Sequence, residues 1–201
     1  MSLRSLTAAL LVAAPLALAA QPAAAAPERY VIDDRHAAIA FMVKHIGYAM
    51  TLGQFLDVEG SFTYNAETQT LSDLEVTIPA ASVFSNDEAR DNHVRGADFL
   101  HAEAHPTMTF RMTGAEATSA TTGKVMGDLT LRGVTKPVTL DVTLNKAGDY
   151  PFPIGASVPY VLGVSAETEI KRSEWGMTYA VDNGLVGDEV RVILEVEAIR
   201  Q

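Results

Sequence analysis

The stretch "VTLDVTLN", residues 138–145, alternates without a break: Val138, Leu140, Val142 and Leu144 take one side and Thr139, Asp141, Thr143 and Asn145 the other. A period of two is the mark of a strand with one buried face, because successive side chains of an extended chain point to opposite sides of the sheet. The same alternation recurs in both directions: in "TMTFRMTG" (Met108, Phe110, Met112), in "VMGDLTLRG" (Val125, Leu129, Leu131) and in "EVRVILEVEA" (Val190, Val192, Leu194, Val196). Turn signals separate the runs, among them "TYNAET", "LRGVTKP", "NKAGDYP" and "VDNGLVGD".

The pattern predicts eight strands, at 30–45, 51–64, 70–81, 107–117, 122–132, 134–147, 157–171 and 187–199. Long antiparallel strands joined in sequence order make an all-β, up-and-down arrangement. Eight is the number at which a closed barrel holds one small ligand, and closure removes the exposed edges that invite aggregation. A two-layer sandwich fits the same alternation. The interval 82–106 is too long for a structureless loop, so a helix is expected there. "SNDE" supplies a capping box, Ser85 with Glu88, for a helix from Asn86 to about Ala97, between strands 3 and 4 and near the mouth of a barrel. Phe84, Val94 and Phe99 are then expected to face inward.

Residues 1–26 read as a signal peptide: Arg4 gives the positive start, Leu6 to Ala20 an apolar run too short to cross a bilayer, and "QPAAAAP" the small-residue stretch that a peptidase prefers. Residues 27–201 form the mature domain, expected in the periplasm. With no cysteine in the chain, an exported domain must hold itself together by its core alone. Without Arg4 the chain carries 14 basic and 25 acidic residues, a net charge of −11 that opposes nucleic acid and anionic lipid surfaces. No second apolar run is long enough to embed the chain in a membrane.

Motifs of catalysis are missing. There is no cysteine, no G-x-S-x-G around a serine and no glycine-rich phosphate loop, so neither an activated nucleophile nor a nucleotide cofactor is expected. The five histidines are 36, 45, 93, 101 and 105; His101 and His105 are spaced to pair on a helix, against which Pro106 argues, and no metal site is expected. "RDNHVRGADFL" (90–100) gathers Arg90, Asp91, His93 and Arg95. Such a cluster serves as the solvated face of a helix, as a dock for the helix on the rim, or as a clamp for a polar head group; His93 with Asp91 is the one pair from which an enzyme could be built. Met42, Met108, Met112, Met126 and Met177 lie in or beside strands with Phe41, Phe55, Phe62 and Phe110, a soft lining that suits a long flexible apolar guest or an irregular filled core.

"YVIDDRHAAIAFMVKHIG" (30–47) followed by "GQFLDVEGSF" (53–62) resembles the opening of the YceI-like family of periplasmic lipid- or polyisoprenoid-binding proteins. Three further stretches follow the family in order: "RDNHVRGADFL" with "HPTMTF" (105–110), then "GDLTLRGVTKPVTLDV" (127–142), then "KRSEWGM" (171–177) with "VGDEVRVILEVEA" (186–198). The resemblance implies a lipocalin-like eight-stranded barrel around a tunnel for an isoprenoid, an isoprenoid quinone precursor or a fatty-acyl chain, held without any cofactor, and it admits a homodimer. The chain departs from the family pattern at Phe99-Leu100, where an aromatic pair is common, and at Trp175, where a Phe or similar is common and a larger ring can shorten or plug a tunnel.

Joined to the alternation, this makes the expected tunnel lining Phe41, Val43, Phe62, Met108, Phe110, Met112, Leu129, Leu140, Val142 and Trp175. The expected rim, where a head group would be held, is Arg90, His93, Arg95 and Arg172.

Overall fold

The structure is a computed structural model that describes residues 26–201. The expected signal peptide, 1–26, lies outside the described residues except for Ala26. The strands are β1 (Glu28–His45), β2 (Ala49–Phe55), β3 (Glu59–Asn65), β4 (Thr70–Pro79), a two-residue β5 (Val83–Phe84), β6 (Thr107–Ala117), β7 (Thr122–Leu131), β8 (Val134–Asp149), β9 (Tyr160–Lys171) and β10 (Val186–Arg200), with one helix, α1 (Glu88–Arg95). Every pairing is antiparallel, and β10 returns to β1 from Tyr30↔Arg200 to His45↔Val186. That last ladder closes the sheet. The barrel therefore has eight staves, one of them built by β2 and β3 in succession.

The expected second strand, 51–64, breaks at Leu56–Val58 because the two halves serve different neighbours. β1 pairs with β3 through its first residues, Glu28 to Val31, and with β2 through Ile39 to His45. A break in the ladder of β1 against β10, between Ile32 and Ala37, changes which residues face inward. Tyr30 and Ile32 point into the core before it, Ile39 and Phe41 after it.

Asp33, at this bulge, is buried and holds the bulge together. Its carboxylate accepts hydrogen bonds from the backbone and guanidinium of Arg35 and lies 2.9 Å from His36 Nδ1. Burial pushes the carboxyl up, but the bonds from His36 and Arg35 outweigh it and leave its pKa below the ordinary 3.8. His36 is raised above 6.5, chiefly by its hydrogen bond to Asp33. Asp33 thus contributes stability above pH 3.8, lost as pH falls through its lower folded value; His36 contributes below pH 6.5, lost as pH rises through its higher one. The Tm deficit of Asp33→Asn should be largest between about pH 4 and 6.5 and shrink on both sides. A deficit constant with pH would contradict the coupling.

The helix is shorter than expected at both ends. Asp87, not Ser85, is its N-cap, accepting from Arg90 N at 2.8 Å. Ser85 is drawn away by Asp91: its backbone N–H and its hydroxyl donate to Asp91 Oδ1 at 2.7 and 2.5 Å, and Asn86 turns into the left-handed region with φ +65°. Gly96 ends the helix, its N–H donating to His93 O. Val94 packs on the core as expected, whereas Phe84 is 39% exposed and points outward.

A candidate ligand cavity

Inside the barrel lies a cavity of about 260 Å³, lined by residues from all eight staves. Its walls are mostly aliphatic: Leu71, Leu74, Val76 and Ile78 from β4, Val138, Leu140, Val142 and Leu144 from β8, Leu162, Val164 and Ile170 from β9, and Val192, Leu194 and Val196 from β10, with Phe62, Tyr64 and Phe110 adding aromatic rings and Thr168 one hydroxyl. Polar groups gather where the lining reaches the hairpins, at Gln69, Glu116, Ser119, Thr121, Thr122 and Lys124. Gln69 Nε2 donates to Ala120 O at 2.8 Å, tying the β3–β4 and β6–β7 hairpins together at this rim. Just inside, Tyr30 stacks on Phe62 with ring centroids 5.4 Å apart. Burial and the Glu28 carboxylate push the Tyr30 hydroxyl up to about 12, so it is neutral at any physiological pH.

Of the expected lining, Phe62, Phe110, Leu129, Leu140 and Val142 border the cavity. Phe110 presses against Gly127: a Cβ there would stand 2.3 Å from Phe110 Cζ and 2.7 Å from the Arg111 carbonyl oxygen, so glycine seats the ring. Phe41 uses Gly53 in the same way, with 2.2 Å to its Cζ, but packs on the core beyond the cavity. Val43, one step further along β1, is outside the lining, and Met112 packs beside a bulge between Met112 and Gly114 that turns Ala115 and Ala117 inward in its place. Met108 and Trp175 are fully packed at the closed end, 7% and 2% exposed.

The helix stands at that closed end, not at the mouth, since the strands alternate in direction and α1 precedes the end of β6 opposite the Thr118–Thr121 hairpin. The expected head-group residues stand there with it, and their donors are already engaged. Arg95 donates to Ala81 O and Val83 O at 2.8 and 2.7 Å, and Arg90 donates to the hydroxyl and the carbonyl of Ser85. His93 pairs with Asp98 at 3.0 Å between the rings of Phe99 and Tyr179. Arg172, 3% exposed, reaches the carbonyls of Met177, Tyr179, Val186 and Gly187 at 2.6–2.8 Å. Burial lowers its pKa, opposed by Asp188, yet a guanidinium stays charged at neutral pH. These side chains fasten the end of the barrel. Asp91 bonds to Ser85 and His93 to Asp98, so the acid–base pair considered from sequence is not assembled. Among the described residues no three His, Asp or Glu side chains converge on a metal position.

The lining missed from sequence had a signal. Val138 and Leu144 share the period-two face of Leu140 and Val142, and Val192, Leu194 and Val196 belong to the alternating face of "EVRVILEVEA". The rim had none, because hairpin tips meet only once the barrel has closed.

A closed antiparallel barrel, packed at one end and hollow and apolar toward the other, belongs to the class of small eight-stranded barrels, whose interior is wide enough for one small ligand. Residues 30–198 match the YceI-like domain, and the chain belongs to that family. It is 38% identical over 174 residues to a UPF0312 protein of Azotobacter vinelandii, covering 86% of this chain and 87% of that one. Among solved structures it is similar to the YceI protein of Campylobacter jejuni, with a TM-score of 0.69, 30% identity, and coverage of 79% of this chain and 90% of that one. It shares its fold with a polyisoprenoid-binding domain from Saccharophagus degradans, with a TM-score of 0.60, 15% identity, and coverage of 86% and 98%.

Proposed function

We propose that the protein is an exported carrier that shields a single long apolar chain, isoprenoid or fatty-acyl, from water, and that it acts by binding and not by catalysis. One observation carries the reading: a cavity lined by apolar side chains from every stave, aliphatic on most and aromatic at Phe62, Tyr64 and Phe110, with all polar lining groups but Thr168 close to one rim. Burial of apolar surface is favourable by about 25 cal/mol per Å², so the several hundred Å² of a long chain outweigh the ordering of its torsions and give roughly micromolar binding. The polyisoprenoid-binding domain of the same fold supports the ligand class, and the apolar run after Arg4 supports export. A homodimer is part of the proposal, supported by the edge of β2 from Ala49 to Gly53, which no strand covers among the described residues, and by exposed Tyr48, Met50 and Leu52 beside it. Native mass spectrometry reads the copy number directly.

Titration with a dansylated undecanoic acid tests the binding. A saturable rise in fluorescence at one probe per barrel, reversed by unlabelled palmitic acid or a prenyl alcohol, is expected. No saturable rise would overturn the reading.

A further inference from the structure

Building on the binding reading, we propose that Trp175 is the fixed floor of the cavity and limits the guest to a chain about as long as one bilayer leaflet. Trp175 comes from the short 3-10 turn Arg172–Trp175 that follows β9, so it is carried at the end of the barrel and not on a strand of its wall. It is 2% exposed, and its indole Nε1 donates to Leu129 O at 3.2 Å. Leu129 borders the cavity, whereas Leu131, the next inward residue toward the helix, does not; Phe110 and Met108 on β6 divide in the same way. Leu131 and Met108 pack with Trp175, Leu100 and Met177 in the part of the hydrophobic cluster that lies beyond the lining residues Phe110 and Val138, so Trp175 stands one layer beneath the last side chains that border the cavity. The stop is also rigid: Arg172, at the start of the same turn, is held by four backbone carbonyls.

The depth follows from the strands. Thr122 stands at the rim and Leu129 at the floor of β7. That interval, at about 3.3 Å per residue and a tilt of 35–45°, spans about 16–19 Å along the barrel axis. Half of a bilayer's hydrocarbon core is about 15 Å, the reach of an acyl chain of about 14–18 carbons. Longer chains leave their remainder in the mouth and gain nothing from it.

The test is native mass spectrometry of delipidated protein mixed with an equimolar series of saturated fatty acids from 10 to 24 carbons. In the wild type, occupancy should climb by up to about fourfold per methylene and level off near 16–18 carbons. Trp175→Ala should move the plateau to longer chains by about four carbons, the room an indole vacates. Ile170→Phe, which adds volume to the wall just above the floor, should move it to shorter chains and serves alone if Trp175→Ala does not fold. A plateau unchanged in a folded variant, or a wild-type plateau beyond 20 carbons, overturns the floor while leaving the carrier reading in place. Wild type that takes up no acid of any length overturns the carrier reading itself.

Discussion

Leu140→Asp should abolish uptake of apolar chains while leaving the barrel folded. Leu140 borders the cavity from β8, and the mouth lets water reach a carboxylate there when the barrel is empty. A guest must strip that water, and an unpaired charge against hydrocarbon costs several kcal/mol, enough to weaken binding by 100-fold or more. Thr139→Asp, one residue away on the exposed outer face, should bind as the wild type does. Fluorescence titration of the two variants checks this, with circular dichroism to confirm the fold. Equal affinities would place the guest outside the barrel.

Arg172→Met should lower Tm by roughly 10 °C. It keeps most of the side chain's bulk and removes every donor, leaving the carbonyls of Met177, Tyr179, Val186 and Gly187 without their partner. Buried acceptors left unpaired cost about 1–3 kcal/mol each before water reaches some of them, about 3–5 kcal/mol in all, and a domain of this size loses about 2–4 °C per kcal/mol. Arg172→Lys should recover little, since one ammonium cannot span four carbonyls. Thermal denaturation reads this directly. A variant of normal stability that loses only ligand affinity would return Arg172 to the head-group role its charge suggests.

The strands were legible because alternation is local: Val138 to Leu144 shows its buried face without reference to any neighbour. Bulges were not, and one between Met112 and Gly114 was enough to replace Met112 by Ala115 and Ala117 in the lining. The helix cap is hidden from sequence for a comparable reason. Ser85 has the right type and spacing for a capping box, but Asp91, six residues on, takes its hydroxyl, and Asp87 is left to cap the helix. Charge was the least legible signal of all. Arg90, Arg95 and Arg172 read as a rim because sequence shows charges and not the backbone carbonyls that absorb them. That the helix stands at the end opposite the Thr118–Thr121 hairpin follows from strand alternation, but which end is packed and which stays hollow depends on side chains brought together from every stave.

The central claim is that the barrel holds one apolar chain. Mass spectrometry of an organic extract of the purified protein, beside native mass spectrometry of the intact sample, tests it most directly. A stoichiometric isoprenoid or acyl species is expected, its chain about as long as one leaflet, removed by extraction and restored by added lipid. A clean protein that also refuses added chains would contradict it and make the cavity a packing void in a structural barrel.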